Sequence, residues 1–183
     1  MADHRLRIAR TACAPIALML LAACMLAACV QAKTSLLAGT KPLFGDQFQL
    51  NVFEDFTDGK AVAATASVFR WNATRYALVS GDPPSGVKFF AAEPLDADTL
   101  LIEASNETDY AYLLGRKLAE GTYRILPVDE KYLDKATQSG TCVTQNSETC
   151  TVATRQQLDT FVRASLGKTI AYTMVAVISV PKN

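Results

Sequence analysis

From Phe44 onward, apolar and polar residues alternate with a period of two, the mark of strands with one buried face. Over 47–56, Phe48, Leu50, Val52 and Glu54 fall on one face and Gln49, Asn51, Phe53 and Asp55 on the other. Asp58-Gly59 is a hairpin dipeptide, and a second strand returns over 61–71. Asn72-Ala73-Thr74 turns the chain into a strand at 75–80, which a loop from Gly81 to Gly86 closes. Further strands are predicted at 87–92, 99–104, 110–117 and 122–128, with turns at 96–98, 105–108 and Glu120-Gly121. Related strand openings begin at Asn72, Asp96 and Ala119, 24 and then 23 residues apart. That spacing is two strands plus two turns, the rhythm of a β-meander. Short strands at this density predict an antiparallel barrel or sandwich.

After Pro127 the alternation stops. Residues 129–136 predict a short helix, with Tyr132 and Leu133 on its apolar side. Residues 137–153 are rich in Thr, Ser, Gln and Asn and read as a polar loop. Thr154-Arg155-Gln156-Gln157 fits a capping box. Leu158, Phe161, Val162 and Leu166 then share one helix face, and Gly167 stands at the C′ position. A helix is therefore predicted over 155–166. Residues 170–180 form a last, β-branched strand, placed centrally, that Pro181 ends. The fold class is mainly β, an antiparallel meander with one C-terminal helix before a last strand. The layout is similar to that of lipocalins, without their Gly-x-Trp signature near the first strand; this likeness implies a barrel holding a small apolar ligand.

The N-terminus follows a different pattern. Arg5, Arg7 and Arg10 precede an uncharged apolar run from Thr11 to Ala28, the layout of a secretory signal peptide. Leu26-Ala27-Ala28-Cys29 resembles the lipobox of bacterial lipoproteins. The resemblance covers the signal region only. It implies cleavage before Cys29, diacylglyceryl transfer to its thiol and acylation of its new amine. Leu21-Ala22-Ala23-Cys24 is a second copy upstream. Cys29 is preferred because the apolar run continues to Ala28. Three readings compete: an uncleaved helix, since 18 apolar residues reach the lower edge for spanning; ordinary cleavage after Val30-Gln31-Ala32; and Cys29 as one more small apolar residue. Every reading places the folded part outside the cytoplasm. By the same resemblance, Val30 rather than Asp after the Cys implies the outer membrane. The chain thus divides into a signal peptide at 1–28, a small, polar tether at 29–43, and one β-rich domain at 44–183 that carries the 137–153 loop.

From Cys29 to the end there are 155 residues, one domain with room for a core. They carry 15 Lys plus Arg and 17 Asp plus Glu, which gives no basic footprint for nucleic acid. The single histidine, His4, lies in the signal region, which removes the usual general base, metal ligand and neutral-pH switch. No catalytic residue, cofactor or metal is predicted, and a non-enzyme is expected. Cys13 and Cys24 leave with the signal peptide, and Cys142 and Cys150 remain as an even pair. In an exported chain they predict a disulfide, closing a loop at about 2–3 kcal/mol of chain entropy. With no His left, a zinc site has too few ligands.

The remaining candidates read as surface features. Glu54, Asp55 and Asp58, like Asp96 and Asp98, read as turn charges. Asp129, Glu130 and Asp134 suit a helix start, where the dipole favours carboxylates. Arg116-Lys117 reads as a solvated hairpin end. Asn72-Ala73-Thr74 and Asn106-Glu107-Thr108 read as turns. Trp71, Tyr110 and Tyr112 belong to an aromatic set that reads mostly as core or cross-strand pairs, and they become a binding surface if they share an exposed face. The expected partners are the membrane, through the lipid, and another envelope protein or a small apolar ligand. The expected role is non-enzymatic binding or support in the envelope.

Overall fold

The computed structural model describes residues 30–37, 41–54, 62–63, 66–83, 86–146, 149–168 and 174–181. The signal peptide, Cys24, Cys29, Asp55, Asp58 and Gly59 lie outside the described residues. In chain order the strands are β1 (Gln31–Ala32), β2 (Gln47–Glu54), β3 (Val62–Ala63), β4 (Ser67–Trp71), β5 (Tyr76–Ser80) and β6 (Phe89–Pro94). Then come β7 (Thr99–Ser105), β8 (Tyr110–Ala119), β9 (Thr122–Pro127), β10 (Thr144–Asn146), β11 (Thr149–Thr151) and β12 (Met174–Ser179). Helix α1 covers Lys135–Thr141 and α2 covers Arg155–Leu166.

Eight strands close into an antiparallel barrel in the order β2-β4-β5-β6-β7-β8-β9-β12 and back to β2. The meander is a barrel, not a sandwich. The last strand performs the closure. Val175 lies opposite Phe53 of β2 on one side and Arg124 of β9 on the other. Closure removes the free edges that would otherwise recruit other chains.

Two apolar cores lie back to back on the barrel wall. The inner one holds Phe48, Phe69, Tyr76, Phe90, Leu100, Ile102, Ile125, Ala176 and Ile178. Phe48 is 4.8 Å from Tyr76 and 5.5 Å from Phe69, ring centre to ring centre, so aromatics fill this lumen. The outer core holds Leu101, Tyr112, Leu114, Leu126 and Val128 from β7–β9 and the residue that follows. Leu158, Phe161 and Val162 of α2 cover them, together with Val30, Leu37, Cys150 and Val152. Hence β7 is buried at all seven positions, with one face in each core.

The predicted helix at 155–166 matches α2, and its capping box is formed: Thr154 Oγ1 accepts from the Gln157 N–H, and Gln157 Oε1 accepts from the Thr154 N–H. Gly167 caps the end with φ −89°, so its left-handed freedom is not used. Residues 129–136 form two short elements rather than one helix. Asp129 caps a 3-10 turn at Glu130–Tyr132, and Asp134 caps α1, which runs on to Thr141. The expected polar loop is thus part helix and part β10–β11 hairpin, with Asn146 paired to Thr149.

The tether expectation is corrected over 30–37. Val30, Ala32 and Leu37 are at most 1 % exposed. The Val30 N–H donates to the Val128 carbonyl (2.9 Å), and Gln31 lies opposite both Ala111 of β8 and Thr151 of β11. Among the described residues the domain therefore begins at Val30.

Candidate functional site

One end of the barrel is where β2 and β9 begin, β6–β7 and β8–β9 turn, and β12 ends. Leu43, Phe44 and Gly45 cross it. The Phe44 N–H donates to the Tyr76 hydroxyl (2.8 Å), which donates to the Gly45 carbonyl (2.9 Å). The Phe44 ring centre lies 5.2 Å from Phe48 and 6.2 Å from Tyr123. Phe44 thus plugs the aromatic lumen from above. Over it opens a cleft of ≈ 610 Å³, floored by Phe44, Leu100, Tyr123 and Ile178 and rimmed by Asp96, Asp98, Lys117 and Glu120. Leu43 and Val180, on its wall, are 40 % and 52 % exposed.

The rim is electrostatically mixed. Asp96 accepts from the Asp98 N–H (2.8 Å), and this bond, first among several, holds its carboxyl below the usual range. Glu120, 3.0 Å from Lys117, raises the ammonium's pKa by hydrogen bonding and then by charge. Burial pushes the Tyr123 phenol up. An apolar floor with a charged rim suits a ligand or chain segment that has an apolar body and a polar end. Among the described residues that line it, the titratable ones are Asp96, Asp98, Lys117, Glu120 and Tyr123.

Trp71, Tyr110 and Tyr112 do not share an exposed face. Trp71 is half-buried against Tyr76, 5.0 Å away, on the inner core. Tyr112 is fully buried in the outer core, and Tyr110 is half-buried beside it. Tyr112 belongs to a polar cluster that alternation hid. Glu103, 2 % exposed, accepts from the Tyr112 hydroxyl (3.0 Å), the Ser35 hydroxyl (2.7 Å) and the N–H groups of Leu36 (2.9 Å) and Leu37 (3.2 Å). Burial, then the Glu103 charge, raises the Tyr112 phenol well above its ordinary value. This carboxylate fastens the N-terminal segment to the wall. Its only signal in the sequence is an acid inside the apolar run Leu100-Leu101-Ile102-Glu103-Ala104.

Arg116 is not simply solvated: its guanidinium donates to the Leu166 carbonyl at the end of α2. Asn72 and Asn106 each close their own turn through the carboxamide oxygen, which accepts from the N–H groups of Arg75 (3.1 Å) and Asp109 (3.0 Å).

Cys142 and Cys150 form a disulfide, with Cα atoms 5.4 Å apart. Cys150 is fully buried in the outer core, so the bond reaches from the polar segment into that core. A carboxylate oxygen of Glu130 and the two sulfurs all lie within 4.8 Å of one another. Glu130 Oε2 is buried and meets no hydrogen-bond partner among the described residues. Burial first, and then the Asp129 charge, raises the Glu130 carboxyl. Sequence spacing does not signal this approach, because the 3-10 turn creates it.

No protein-family model, curated protein or solved structure matched the chain.

Proposed function

We propose that this protein is a non-enzymatic envelope lipoprotein, held at the outer membrane by acyl chains on Cys29, that uses the open end of its barrel for binding. The lipobox-like Leu26-Ala27-Ala28-Cys29 supports the anchor. One observation carries the binding role: a ≈ 610 Å³ cleft with an apolar floor and charged rim above an aromatic-filled lumen. The same filling narrows the lipocalin-like reading. An apolar ligand would be taken above Phe44, not deep in the barrel.

Photo-crosslinking in intact cells tests this. A photoreactive residue at Leu43 or Val180 is expected to give discrete adducts. The same residue at Val143, exposed but outside the cleft, is expected to give none of them. Equal patterns from all three positions would sink the cleft as the binding site.

A further inference from the structure

We propose that reduction of the Cys142–Cys150 disulfide turns this corner into a binding site for one thiophilic divalent cation of the zinc class. Its protein ligands are Cys142, Cys150 and Glu130, and water takes the fourth position.

The three side chains are already assembled, with their ligand atoms within 4.8 Å of one another. A tetrahedral zinc ion holds sulfur at about 2.3 Å and carboxylate oxygen at about 2.0–2.2 Å, so ligand atoms sit about 3.5 Å apart. Breaking the bond lets the sulfurs separate toward that spacing, and the third ligand needs only a small approach. Each ligand rests on its own fixed element. Glu130 opens the 3-10 turn that Asp129 caps. Cys142 ends α1, its N–H bonded to the Gln138 carbonyl (2.8 Å). Cys150 lies in β11, opposite Gln145. The Gln138 carboxamide donates to the carbonyls of Glu130 (2.7 Å) and Leu133 (2.8 Å), tying the helix to the turn. Reduction therefore need not disperse the ligands. The second observation is that Glu130, whose carboxylate lies beside the two sulfurs, has a buried oxygen, Oε2, with no hydrogen-bond partner among the described residues. A cation would satisfy it.

The redox step requires a two-electron reductant; with a dithiol, one thiolate attacks Sγ of Cys142, the half-buried residue of the pair, because Cys150 is fully enclosed. The Cys142–Cys150 bond breaks and Cys150 leaves as a thiolate. The reductant's second thiol then attacks its own sulfur in the mixed disulfide and releases Cys142. Two electrons pass to the protein, and the reductant ends as a disulfide. The cation displaces the protons still held by the three ligands, so binding releases acid.

The full-length protein in detergent, reduced with a phosphine that does not compete for metal, tests the proposal. Zn²⁺ is titrated against a chromophoric chelator, and Co²⁺ reports thiolate ligation by its charge-transfer absorption. The reduced protein is expected to bind one metal ion more per chain than Cys142→Ser does, a comparison that subtracts the remaining cysteines. The oxidised protein should lack that ion. Loss of even an outer-shell partner costs about 10–100-fold in metal affinity, so Glu130→Gln, which leaves the disulfide intact, should weaken this site by at least about tenfold. Equal affinity in Glu130→Gln, or equal stoichiometry in Cys142→Ser, overturns the proposal. So does loss of the β-sheet circular dichroism on reduction before metal is added, because the ligands would then not be held together.

Discussion

Glu103, which is buried, and Glu130, which is half-buried with one enclosed oxygen, occupy opposite situations, and single substitutions separate them. Glu103 collects donors from Ser35, Leu36, Leu37 and Tyr112. Glu103→Ala strands them inside the outer core. Each buried donor left without an acceptor costs about 1–3 kcal/mol, so the urea midpoint should fall sharply and protease should gain access to 30–37 first. Unchanged protection of that segment would show that Glu103 is not what holds it. Glu130 is the reverse case, since burial raises its carboxyl above the ordinary value of 4.5 and favours the protonated form. Below the unfolded-state value both forms are protonated and nothing is lost. As pH rises from there through the folded-state value, deprotonating a poorly solvated group removes stability. Glu130→Gln cannot deprotonate, so it should be more stable than wild type at pH 7 and no more stable at pH 4. Denaturant midpoints at the two pH values read this directly; a gap that is the same at both would refute the assignment.

At the level of elements, turn chemistry and strand register meet at Gly121. It has φ +67°, an added Cβ would stand 2.5 Å from the Ile178 carbonyl oxygen, and the Ile178 N–H donates to the Gly121 carbonyl (2.7 Å). A non-glycine residue in that region costs about 1–3 kcal/mol before the clash is counted. Gly121→Ala should lower stability by at least that much and loosen amide protection in β12; thermal unfolding with hydrogen exchange would check both. The strands around it were legible because each shows one side chain in two to the aromatic lumen, as Phe48 and Val52 do in β2. The capped α2 was legible because its signals are local. The rest of the cover over the outer core was not: it comes from a two-residue strand and a hairpin of three-residue arms, too short to show a period. Tyr112 shows the consequence, for a strand reads the same whether its second face meets water or a cover. The cleft was illegible for a related reason, since residues from 43 to 180 converge on it through barrel closure, which no local pattern encodes.

The whole molecule is a filled barrel wearing a jacket of helix, hairpin and N-terminal segment over one part of its wall. The segment's placement bears on how the protein would stand at a membrane. Val30 is fully buried, its N–H bonded to the Val128 carbonyl and its carbonyl to the Tyr112 N–H (3.3 Å). With acyl chains on Cys29, as proposed, one residue separates lipid from barrel, a reach of about 3.5 Å. Ten Gly/Ser residues inserted between Cys29 and Val30 would add a leash of about 17 Å. Lipid-borne crosslinkers should then label the wall near Val128 strongly in the native chain and weakly in the lengthened one; equal labelling would show that this wall does not face the bilayer. Most lipid anchors let their cargo swing like a buoy on a line. This barrel would instead be moored hull to quay, with its heading fixed by the fold, so its mouth would sweep a narrow arc and meet only what the envelope brings to that height.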